Sequence, residues 1–173
     1  MSNYVKYTTY QVVFKEFPDE ITLAFNLSNC PNNCIGCHSP ELKEDIGTEL
    51  TDDEMLDVIS KNKAVTCVGF MGGDANVKEL IRLARVIRNK YPKLHIGWYS
   101  GKEVFPLYNG VFDYIKLGPY KQELGGLDSK TTNQRLYMKV AGDELSPTFI
   151  DITAKAFWES KPWEVDYFEQ NEK

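Results

Sequence analysis

Ile21-Thr-Leu-Ala-Phe-Asn-Leu27 alternates as a strand should, and it runs directly into Ser28-Asn-Cys-Pro-Asn-Asn-Cys-Ile-Gly-Cys37. Cys30, Cys34 and Cys37 therefore stand four and three residues apart on the loop that follows a strand. A closed structural zinc site takes four protein ligands, and an electron-transfer iron–sulfur cluster takes four cysteines. Three thiolates with one position left open are the arrangement of a centre that does chemistry. Spacing alone leaves the metal undecided. Zinc could recruit His38 or Cys67 as a fourth ligand. Cys34-Ile-Gly-Cys37-His38 also matches the haem-attachment pattern C-x-x-C-H, which normally goes with export. A thioredoxin-like pair at Cys34 and Cys37 would leave Cys30 unexplained.

Working outward, Tyr4 to Phe14 is rich in Tyr, Val and Thr and reads as a first strand or arm. Thr51-Asp-Asp-Glu54 resembles a capping box, opening a helix through about Lys61. Ala64 to Phe70 is a compact apolar strand that ends at Met71-Gly-Gly-Asp74. From Asn76 to Lys90, Val77, Leu80, Ile81, Ala84 and Ile87 form one helical face, and Tyr91-Pro92 stops the helix. Leu94 to Tyr99, Phe112 to Leu117 and Leu136 to Val140 read as further strands. This alternation predicts an α/β fold built from βαβ units on a mostly parallel sheet. A closed eightfold barrel needs about 200 residues or more, so 173 residues predict an open partial (β/α) barrel. Residues 1–173 are expected to form a single domain. Within it, 1–20 is an N-terminal arm or strand, and 141–173 an aromatic, acidic C-terminal extension. Phe149, Phe157, Trp158, Trp163, Tyr167 and Phe168 would close one end of the sheet or form a docking surface.

Composition narrows the function classes. The net charge of −5 and the absence of a basic run leave no electrostatic footprint for nucleic acid. No stretch reaches the length of a membrane span and Met1 to Tyr10 has no apolar signal region, so a cytoplasmic protein is expected. In that compartment this cysteine spacing favours metal binding over disulfides.

Phe25-Asn-Leu-Ser-Asn-Cys-Pro-Asn-Asn-Cys-Ile-Gly-Cys-His-Ser-Pro40 resembles the cluster loop of the radical S-adenosylmethionine enzymes. The resemblance is closest to the activating proteins of anaerobic ribonucleotide reductase. Met71-Gly-Gly-Asp74, Phe112-Asp-Tyr-Ile-Lys-Leu-Gly-Pro-Tyr120 and Thr131-Thr-Asn-Gln-Arg-Leu-Tyr137 follow in the order of that family, so the likeness covers about residues 20 to 140. It implies a partial barrel of the radical S-adenosylmethionine type. It implies also a [4Fe–4S] cluster on Cys30, Cys34 and Cys37 whose fourth iron is chelated by S-adenosylmethionine. The implied enzyme is an oxidoreductase that generates a glycyl radical on anaerobic ribonucleotide reductase, with flavodoxin or ferredoxin as electron donor. Alternatives are a radical S-adenosylmethionine enzyme acting on another glycyl-radical enzyme or a small molecule, and a zinc-binding module.

The same likeness suggests cofactor contacts. Gly72, Gly73 and Asp74 match a Gly-Gly-Glu motif that meets the methionine amino group, with the acid one methylene shorter here. Lys116 would pair with the cofactor carboxylate if it does not snorkel to the surface. Ser100 would hydrogen-bond the cofactor unless it only forms a turn, and His38 would lie beside it. Asn133, Gln134 and Arg135 would contact cofactor or partner. Many relatives place an aromatic residue where this chain has Gly36, so adenine recognition is unassigned. Cys67 is expected to be a buried small hydrophobe, and His95, with no evident partner, to be structural.

Overall fold

The computed structural model describes residues 4–159. Among the described residues, eight strands form one open sheet in the order β3-β1-β2-β4-β5-β6-β7-β8. They are β1 (Lys6–Val13), β2 (Thr22–Leu27), β3 (Thr48–Glu49), β4 (Cys67–Met71), β5 (His95–Tyr99), β6 (Tyr114–Leu117), β7 (Arg135–Ala141) and β8 (Thr148–Asp151). Two α-helices, α1 (Asp52–Lys61) and α2 (Val77–Lys90), make the crossovers from β2 to β4 and from β4 to β5.

The mostly parallel, open partial (β/α) barrel expected from the sequence is not what forms. Only β2–β4, β4–β5 and β5–β6 pair in parallel. The pairs β1–β2, β1–β3, β6–β7 and β7–β8 are antiparallel, which makes four of seven. The reason lies in the connections. A parallel step needs a crossover of a dozen or more residues, usually helical, whereas short links produce hairpins. Residues 14–21 and 142–147 are too short for a crossover; residues 118–134 are long enough for one, but there the chain returns alongside β6 instead. The arm and the start of the C-terminal extension thus add antiparallel strands on both flanks of the parallel block. Trp163, Tyr167 and Phe168 lie outside the described residues.

Both helices begin as their sequences predict. Thr51 accepts a hydrogen bond from the Glu54 amide at 3.2 Å, and Asn76 does the same for Glu79 at 3.2 Å. Leu80, Ile81, Leu83, Ala84 and Ile87 of α2 are buried against the sheet. There they join Leu23, Phe25, Val68, Phe70, Ile96, Trp98 and Ile115 in the main core. Strand alternation sends Cys67, Tyr114 and Leu136 to the opposite face, where Phe17 and Ile152 complete a smaller cluster. Phe17 descends from the β1–β2 connection and stacks on Tyr114 at 5.2 Å. It fits because Gly97 has no side chain, and a Cβ there would overlap the Phe17 ring.

Gly97→Ala is therefore expected to destabilise the protein by about 1–3 kcal/mol through overpacking. The same change in a Phe17→Ala background should cost almost nothing, because the two sites share one contact. Urea unfolding of the four proteins measures the coupling, and additive effects would show that the ring can move aside.

Candidate metal centre

The parallel strands β2, β4, β5 and β6 end side by side, and the sequence motifs follow those ends. In-register pairing sets Asn26, Met71, Tyr99 and Lys116 in one row on the face away from the helices. The cysteine loop leaves β2 just beyond that row. Its return path clamps it: the Ser28 amide donates to Lys6 O at 3.0 Å, Asn29 to Glu44 O at 2.9 Å and Cys30 to Leu42 O at 2.9 Å. Asn29 takes a left-handed conformation at φ 59°, and Gly36 turns the loop back at φ 73°. Cys30, Cys34 and Cys37 are all free thiols and half-buried.

Asp74 holds this loop to its neighbours. Its carboxylate accepts from Ser100 Oγ at 2.5 Å, from the Gly101 amide at 2.8 Å and from Asn32 Nδ2 at 2.5 Å. Ser100 is fully buried and also accepts from the Lys102 amide at 3.0 Å, so its hydroxyl is committed within the protein. Gly72 and Gly73 both take positive φ, 108° and 97°. A Cβ on Gly72 would press on the Leu27 carbonyl, and one on Gly73 on Leu27 and Leu80 at 3.0 and 3.2 Å. The Gly72 carbonyl accepts from Trp98 Nε1 at 2.8 Å. The turn and its packing thus suffice to require both glycines.

Lys116 does not reach the surface. It is 8% exposed, lies 5.5 Å from the centre of the Tyr99 ring and donates to Gly118 O at 3.0 Å. Burial pulls its ammonium down to about 8, while Asp74 and the three thiols of the loop act in the opposite sense. The Gly118 carbonyl also accepts from Gln134 Nε2 at 3.3 Å. Asn133 donates to Pro119 O at 3.0 Å, and its buried Oδ1 has no hydrogen-bond partner. Arg135 turns away, bonding the carbonyls of Thr132 and Gln134 and lying 5.8 Å from the Trp158 ring. His38 is exposed and packs on Tyr120 at 5.1 Å. A cleft of about 620 Å³ opens beside the loop, lined by Asn32, Cys34, Ile35, Gly101, Tyr120 and Gln122.

A model of the 4Fe-4S single cluster domain matches residues 21–123, well over half of the chain. The chain belongs to that family. It is an iron–sulfur protein, and the match covers the cysteine loop, the Gly-Gly-Asp turn and Lys116. No curated protein and no solved structure matches it.

The loop offers such a group three free, half-buried thiols, and in a cluster each thiolate binds its own iron, so the three need not converge on one point. Cys67 lies outside the site altogether. It pairs with Thr22 at the opposite end of β2, roughly 16 Å along the strand from the loop. Burial pushes its thiol well above the usual range, as an inert core cysteine requires. His95 does have a partner: its Nδ1 meets the Glu20 carboxylate, which also accepts from Tyr114 at 3.1 Å and Thr66 at 2.5 Å. Asn32 was not singled out by sequence reasoning. Only its place between two cysteines could have flagged it, and loop asparagines are common.

The buried lysine should cost stability in the cluster-free protein. Between its folded value of about 8 and its ordinary 10.5, the unfolded chain binds more protons, so stability rises with pH across that window. Lys116→Met is expected to be more stable than the native protein by about 3 kcal/mol at pH 7. That difference should shrink from pH 8 upward and vanish near pH 10.5. Urea titrations at several pH values measure it, and a pH-independent difference would place the cost elsewhere.

Proposed function

We propose that this protein is a radical S-adenosylmethionine enzyme that activates anaerobic ribonucleotide reductase. Cys30, Cys34 and Cys37 would hold the [4Fe–4S] cluster and leave it a position open to S-adenosylmethionine. The observation that carries this reading is Lys116, an ammonium buried on the sheet face and close enough to Asp74 and the three free thiols to feel their charge. A cation kept at such a desolvation cost belongs where an anion binds, and a cofactor carboxylate beside the loop would supply it. The unpartnered Asn133 Oδ1 is an acceptor suited to an N–H donor of the same ligand.

The cluster and cofactor together supply reductive cleavage of the sulfonium carbon–sulfur bond and hydrogen abstraction from a glycine Cα of the partner. The chain's own residues do the rest. The loop positions the thiolates, Asp74 fixes the loop against β5, and Lys116 neutralises the bound carboxylate. The cleft beside Cys34, with Tyr120 in its wall, admits the glycine-bearing segment of a protein substrate. A small flavodoxin or ferredoxin would deliver the electron.

Anaerobic reconstitution tests the ligand set. Cys30→Ala, Cys34→Ala and Cys37→Ala should each lose most of their iron and sulfide, whereas Cys67→Ala should keep both. Full cluster content in any of the first three would remove that residue from the site. In holoprotein, Lys116→Met should weaken S-adenosylmethionine binding by about 10- to 150-fold, the value of a charge-assisted hydrogen bond of about 1.5–3 kcal/mol.

Mixing reduced holoprotein and S-adenosylmethionine with the reductase from the same genome should produce a glycyl doublet in electron paramagnetic resonance. A small molecule that accelerates cofactor cleavage, with no doublet from the reductase, would make the enzyme one of small-molecule chemistry instead.

A further inference from the structure

We propose that Asn32 sets the reduction potential of the cluster, by donating a hydrogen bond to Cys30 Sγ from an amide that Asp74 locks in place. The inference rests on Cys30 being a cluster ligand. Asn32 Nδ2 stands 3.7 Å from Cys30 Sγ and 2.5 Å from Asp74 Oδ2. The two ends of an asparagine amide are easily exchanged, but here the carboxylate decides the orientation. An ionised carboxylate only accepts, so the atom facing Asp74 must be the NH2 group. Its second hydrogen is then available to the sulfur. Asp74 is itself held by Ser100 Oγ and the Gly101 amide, so the donor is anchored to the end of β5 rather than to its own loop. Gly101 completes the arrangement, since a Cβ there would overlap Asn32 Nδ2.

A donor on a thiolate ligand acts on the redox equilibrium through charge. Reduction adds one electron to the cluster, and part of that charge resides on the sulfurs. A fixed N–H dipole aimed at Cys30 Sγ stabilises the reduced form more than the oxidised one, and hydrogen bonds to sulfur are among the factors that set cluster potentials. Its loss should move the midpoint to more negative values. Asn32 is a positioning residue that acts through Cys30.

The test is the midpoint potential of reconstituted holoprotein, followed by absorbance and by the resonance of the reduced cluster. Asn32→Ala is expected to make the reduction equilibrium about tenfold less favourable, a shift of about 59 mV for one electron. Gly101→Ala, which displaces the amide without removing any polar group, should shift the midpoint in the same direction. Native midpoints in both variants would overturn the inference while leaving the cluster assignment intact. Loss of the cluster from both variants, at native melting temperature, would overturn it too, because Asn32 would then serve assembly rather than tuning. A native protein that takes up no cluster at all would refute the ligand set of the proposed function instead.

Discussion

The carboxylate of Asp74 ties together three segments that leave neighbouring strand ends. It sits in the turn after β4, takes two donors from the end of β5, and takes a third from the cysteine loop that follows β2. An ionised carboxylate with three short donors is among the stronger polar arrangements available to a half-buried site. Without it the loop would be held mainly by its backbone bonds to Lys6, Leu42 and Glu44. The parallel register places these three strand ends level with one another, and Asp74 turns that coincidence into a fixed geometry.

The elements that carry the site were largely legible because their signals are local. Alternation marked β2, the apolar run marked β4, a capping box marked α1, and an apolar face with its Tyr91-Pro92 stop marked α2. The strand directions on the flanks were not legible. Periodicity says that Arg135–Ala141 is a strand but is silent about its direction, and direction depends on whether the connection can hold a crossover. The link at 14–21 carried that information in its shortness, whereas 118–134 is longer than the 100–113 link that joins two parallel strands, so nothing local fixed the direction of β7.

The site residues divide along a similar line. The three cysteines are the candidates that spacing singles out, and the family match covers the region in which they lie. For Lys116 the sequence allowed two opposite orientations. The row through Asn26, Met71, Tyr99 and Lys116 is a tertiary fact that puts the side chain on the face carrying the loop. For Ser100 and the glycine pair, composition could not separate a ligand contact from an internal one. The hydrogen bonds and positive φ values account for these residues by structure alone. Asn32 shows the limit most sharply, since its partner lies forty-two positions away in sequence.

The carbonyl of Gly118 accepts two donors, the lysine ammonium and the Gln134 amide. Were either donor lost, the oxygen would stay paired, so displacing the ammonium would sacrifice a single hydrogen bond and orphan no buried acceptor. The backbone at this strand end therefore does not depend on the lysine, whose charge is held there by one bond and the face of the Tyr99 ring.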